Sequence, residues 1–116
     1  MHEVSIARAI VSAVVDAVGD QAVESVEVAV GALSGVAPVA LEFVWDVTTS
    51  GTTLDGAALV VDRVPTTVFC RRCDRVVAPD LGFVCPTCGE ISTDVRSGRE
   101  LDVRRARLRE PAVPRP

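Results

Sequence analysis

The chain has no lysine and no tyrosine, and only one tryptophan, one histidine and one methionine. Aromatic residues fill 3% of its 116 positions, so any core must be built from aliphatic side chains. The apolar fraction, 48%, is mostly valine and alanine. That suffices for one modest core, and the length fits one domain or a small domain carrying a smaller module. Twelve arginines face sixteen acids, a formal charge of −4. An acidic chain is poorly suited to general nucleic-acid binding, which needs cations to neutralise phosphates. No apolar run approaches the roughly 20 residues that span a bilayer. Arg8 and Asp16 interrupt the opening residues, which therefore lack the basic start and unbroken apolar stretch of a secretion signal. These absences point to a cytoplasmic protein that engages neither membrane nor nucleic acid. With a single histidine and no paired acid and base, the sequence offers no catalytic constellation, and the chain reads as a non-enzyme.

Against this plain background stand four cysteines, Cys70, Cys73, Cys85 and Cys88, in two C-x-x-C pairs. Each pair can present two sulfurs to one side of an ion, and two pairs close a tetrahedral thiolate shell suited to Zn²⁺. A closed shell leaves no position for substrate water, so the expected zinc is structural. Four thiolates around Zn²⁺ add about −2 to the local charge, which Arg71, Arg72 and Arg75 partly offset. Gly89 permits a tight turn after the last cysteine, and Pro86 stiffens its knuckle. Phe69 and Phe83 are expected to pack a small local core. Metal binding would supply most of this segment's folding energy. Disulfides are the competing use of the cysteines, and the arginines leave open a zinc-ribbon module that binds nucleic acid or protein.

The rest of the chain alternates helix and strand signals. Ile6, Ile10, Val14 and Val18 recur every fourth residue, with Ala9, Ala13 and Ala17 beside them, predicting a helix from Val4 to Val18 that stops at Gly19. Val26, Val28 and Val30 alternate as in a strand with one buried face. Pro38 opens a second helix that runs to about Thr49 with Leu41, Val44, Trp45 and Thr48 on one face. Ala57 to Val64 reads as a second strand. Leu101 to Leu108 reads as a third, but its apolar parity switches between Val103 and Ala106, which predicts a bulge near Arg104 and Arg105. The expected architecture is α+β: two helices on a small three-stranded sheet, with an inserted zinc-ribbon-like module. Residues 1–64 plus 95–110 form the α+β domain, 65–94 the zinc module, and the proline-rich 111–116 a flexible tail.

The chain opens Met1-His2-Glu3. Methionine aminopeptidases remove Met1 only before small residues, so Met1 is expected to stay. Its α-amine, the ionised amide of His2 and His2 Nδ1 can chelate one ion in fused rings. This all-nitrogen, near-planar set suits Ni²⁺ or Cu²⁺, with a fourth position open to Glu3, a partner or water. Amine and imidazole must both be unprotonated, and their reference pKa values of about 7.7–8.0 and about 6.5 predict weaker binding below neutral pH.

Taken together, these features resemble the HypA/HybF family of hydrogenase maturation nickel metallochaperones. The resemblance rests on Met1-His2-Glu3-Val4-Ser5, the helix that follows, Gly31 to Val36, Gly51-Thr52, Leu54, Gly56-Ala57, the four cysteines, and Ser97-Gly98-Arg99-Glu100-Leu101. It covers the chain up to the tail. It implies an exchangeable Ni²⁺ cargo at His2, helped by Met1 and Glu3, and structural Zn²⁺ on the four cysteines. It implies work with a nickel-delivery GTPase to load the large subunit of [NiFe] hydrogenase, with urease as a further client, as a monomer or homodimer. Two positions depart from the family pattern. Ala32 replaces a common acid, and Ala37 stands where a polar or acidic residue is frequent, so an accessory carboxylate ligand is missing there.

Overall fold

The computed structural model describes residues 3–110, so Met1, His2 and the expected tail lie outside the described residues. The elements follow the order α1 (Glu3–Val18), β1 (Val23–Gly31), α2 (Pro38–Thr49), β2 (Ala58–Val64), β3 (Thr67–Cys70), β4 (Arg75–Val77), β5 (Val95–Ser97) and β6 (Leu101–Leu108). They build two three-stranded sheets, β2-β1-β6 and β4-β3-β5.

In the first sheet β1 is central, parallel to β2 and antiparallel to β6. Val26, Val28 and Val30 pack with both helices in one aliphatic core. Glu27, of opposite parity, pairs with Arg105 at 3.2 Å. The parity fault in β6 is resolved by a bulge. Glu27 lies opposite Arg105 and Val28 opposite Val103, so Arg104 has no counterpart. The extra residue lets Leu101, Val103, Ala106 and Leu108 all reach the core.

Helix α1 ends as its sequence requires. Gly19 takes φ +66° and donates its N–H to Val15 O at 2.8 Å. Its buried face differs from the expected one. Ala7 and Val11 flank the Ile6, Ile10 and Val14 stripe, while Ala9, Ala13 and Ala17 are exposed. The larger Val11 and Val15 gain more from burial than alanines do, so the helix turns toward them. In α2 the buried residues are Leu41, Trp45 and Thr49; Thr48 is only half-buried. Trp45 donates its indole N–H to Ala57 O at 2.9 Å, fastening the helix to the start of β2.

The second sheet surrounds a separate core of Val68, Cys70, Val77 and Cys85. Its short strands have no sequence periodicity long enough to reveal them. Val95–Ser97 pairs with β3 and so belongs to this sheet, although by sequence these residues group with 95–110. The two cores give an elongated molecule, 66 × 33 × 20 Å.

Between the sheets the chain crosses itself closely. The N–H of Gly31 donates to Glu100 O at 2.7 Å, Leu33 N–H to Gly98 O at 2.6 Å, and Ala32 N–H to Val64 O at 2.9 Å. A Cβ on Gly31 would lie 2.1 Å from Gly98 O. Gly98 itself takes φ +115° against Thr66. Glu100 closes the crossing by accepting the Gly98 N–H at 2.6 Å.

Candidate metal centre

The metal-ligating side chains are brought together by two matching turns. Cys70 ends β3, and the chain turns through Arg71, Arg72 and Cys73 into β4. Cys85 to Gly89 makes the second turn, closed by Gly89 N–H donating to Cys85 O at 2.9 Å. Each knuckle reverses through a left-handed residue directly after its second cysteine: Gly89 at φ +78° and Asp74 at φ +53°. Glycine adopts this freely, and aspartate is among the few side chains that tolerate it.

The four Sγ atoms all lie within 4.8 Å of one another. Cys70 and Cys88 are separated by 3.5 Å, Cys73 and Cys85 by 3.9 Å. A tetrahedral ion with metal–sulfur bonds of about 2.3 Å holds its sulfurs about 3.8 Å apart. The cluster therefore has the size and the all-sulfur chemistry of a structural zinc site. Bound there, zinc would cross-link the two knuckles and stabilise the second sheet. All four cysteines are free of disulfides.

The surroundings treat the thiols unequally. Backbone N–H groups of Cys88 and Thr87 point at Cys85 and lower its pKa to about 6. Burial, reinforced by hydrogen bonding to the other cysteines, pushes the Cys73 thiol up to about 12. Charge on Cys85 opposes charge on the sulfurs packed around it, and a bound cation would offset that repulsion. Arg75 donates to Thr87 Oγ1 at 2.9 Å and ties one knuckle to the other, while Arg71 and Arg72 are exposed. Phe83 packs on the small core as expected. Phe69 instead lies under the Arg96 guanidinium, 4.7 Å from its ring centre, and Arg96 in turn pairs with Asp94 at 3.0 Å. Nothing in the spacing of Arg96 marks this role. Its only sequence signal is its position opposite in sign to Asp94, two residues away.

Of the proposed nickel ligands, Met1 and His2 fall outside the described residues. Glu3 is half-buried in the first turn of α1. Helix α1 packs on the first core, whereas Cys70 and Cys85 belong to the second, so Glu3 and the cysteines are carried by elements of different cores. Among the described residues, no helix is long and apolar enough to cross a membrane.

Comparison with known proteins agrees with this picture. Residues 1–108 match the family model described as hydrogenase/urease nickel incorporation, metallochaperone, hypA. Hydrogenase maturation factor HypA of Geotalea daltonii is 39% identical over 105 residues, covering 90% of this chain and 96% of that protein. Guanidine hydrolase-activating protein A of Synechocystis is 38% identical over 112 residues, covering 90% of this chain and 92% of that one. The solution structure of the Ni metallochaperone HypA from Helicobacter pylori superposes with a TM-score of 0.60 at 19% identity, covering 93% of this chain and 97% of that one. This last likeness is one of fold. Sequence, fold and cysteine cluster converge: the chain belongs to the HypA family of nickel-incorporating metallochaperones.

Proposed function

We propose that the protein carries Ni²⁺ at its amino terminus and hands it to a nickel enzyme under assembly, with zinc held permanently on Cys70, Cys73, Cys85 and Cys88. The observation that carries this proposal is the extent of the family match, which begins at residue 1 and so includes Met1-His2-Glu3. His2 is the principal ligand, with the Met1 amine and Glu3 as accessories. An incomplete nitrogen set suits a carrier. It holds the ion while leaving a position through which an acceptor can add ligands, and nickel leaves by exchange rather than by dissociation into water. Irving–Williams ordering gives Cu²⁺ the higher affinity, so selectivity for nickel rests on supply and on the acceptor.

The work divides between the two sheets. Residues 1–64 plus 95–110 form the nickel-binding unit and 65–94 the zinc module, whose sheet borrows β5 from beyond residue 94. The partners are a nickel-delivery GTPase and the large subunit of [NiFe] hydrogenase, in the cytoplasm. The Synechocystis relative named for activating a hydrolase favours a second client class beside hydrogenase. Deleting the gene and assaying hydrogenase, urease and guanidine hydrolase in the same strain would separate them.

The direct test is calorimetric titration of untagged protein with Ni²⁺ at about pH 7.5, where the imidazole is mostly unprotonated. His2→Ala should abolish the tight phase, and a tag placed ahead of Met1 should weaken it. Equal affinity in wild type and His2→Ala would remove His2 from the site.

A further inference from the structure

Helix α2 exposes a continuous apolar stripe. Val39, Phe43 and Val47 recur every fourth residue and are 66%, 85% and 82% exposed. They lie opposite Leu41 and Trp45, which face the core. Scattered exposed apolar side chains are ordinary, but a helical stripe led by a nearly bare phenylalanine marks a contact surface. One flank of the stripe is acidic, with Glu42 and Asp46 four residues apart and both exposed. The other flank faces α1, where Val4 and Arg8 share an open groove with Phe43, Val44 and Val47. None of Arg8, Glu42 and Asp46 has an ion-pair partner among the described residues.

This charge layout selects the occupant. Two copies can lay their stripes together about a two-fold axis either across α2 or along it. An axis across the helix sets the acidic flank of one copy against the acidic flank of the other, which is repulsive. An axis along the helix sets each acidic flank against the α1 side of the other copy, where Arg8 stands. The axis along α2 therefore turns the Asp46 flank of one copy toward the groove side of the other, where Arg8 stands. The surface is self-complementary in this arrangement alone. We propose that the α2 stripe is the contact surface of a homodimer whose two-fold axis runs parallel to α2, with Phe43 at its centre and reciprocal Asp46–Arg8 pairs at its rim.

Central aromatics dominate such contacts, whereas rim charges set geometry more than affinity. Sedimentation velocity on the full, untagged chain across a concentration series tests the proposal. Wild type should show a concentration-dependent dimer. Phe43→Ser should raise the dimer dissociation constant by about tenfold or more, with unchanged circular dichroism and zinc content. R8D and D46R should each weaken the dimer, and the double variant should recover most of it. A monomer at every concentration, or a dimer indifferent to Phe43→Ser, would overturn the proposal. A double variant no tighter than either single would overturn the axis, and with it the assigned interface.

Discussion

Gly31 has no room for a side chain. Its Cβ would sit 2.1 Å from the carbonyl oxygen of Gly98. Backbone cannot yield there without breaking the three hydrogen bonds that join the Gly31–Leu33 segment to Val64, Gly98 and Glu100. Gly31→Ala should therefore cost about 2–3 kcal/mol, measured as a lower midpoint in urea denaturation. A second residue at the same crossing gives a pH signature. The backbone N–H groups of Glu100 itself and of Gly98 hold the Glu100 carboxyl below the usual carboxylate range. A pKa lowered by folding contributes stability that is present above the unfolded value and is lost as pH falls through the folded one. Glu100→Gln should accordingly flatten the acid limb of a melting-temperature profile and leave its slope near neutral pH unchanged. The same slope in both proteins below about pH 4.3, the reference value for glutamate, would remove Glu100 from that role. Residues of this kind were visible in the sequence only through family likeness, as Gly31 to Val36 and Ser97 to Leu101. No local rule says that a glycine at position 31 meets one at position 98; the contact arises only after the chain has crossed between its two sheets.

Elements were more legible where their period was long. Sixteen residues of α1 and the parity switch in β6 each left enough positions to define a face. The bulge at Arg104 followed from parity alone, because a strand that buries Leu101 cannot also bury Leu108 without an added residue. The rotation of α1 did not follow, since alanine at 9, 13 and 17 and valine at 11 and 15 are both apolar, and only packing volume separates them. Strands of three or four residues, as in β3, β4 and β5, are too short to show any period. Trp45 tests how α2 is fastened. Trp45→Phe removes the indole donor that satisfies Ala57 O and leaves a smaller ring in the core. A loss of about 1–3 kcal/mol is expected. Chemical denaturation measures it, and no loss would mean that water replaces the indole.

At the scale of the whole molecule, two cores of very different strength are joined at one crossing. The first is a broad aliphatic core beneath two helices; the second has four buried residues, two of them cysteines. Such a small core cannot offset the chain entropy of the loops it closes, so the zinc module depends on its metal. Removing zinc with a strong chelator should erase amide-exchange protection in 67–97 while α1, α2 and β1 keep theirs. Protection lost uniformly along the chain would show a single cooperative unit instead. The composition foretold this imbalance: valine and alanine crowd the first 64 residues, and the cysteine segment carries few large apolar groups. The central proposal is that the chain carries two metals, one fixed on the four cysteines and one exchangeable at its amino terminus. Metal analysis of untagged protein after nickel exposure and gel filtration tests it most directly, with wild type, His2→Ala and Cys85→Ser side by side. About one zinc and one chelator-labile nickel per wild-type chain are expected, with nickel lost only in His2→Ala and zinc lost only in Cys85→Ser. Nickel that persists in His2→Ala, or that disappears with zinc in Cys85→Ser, would contradict it.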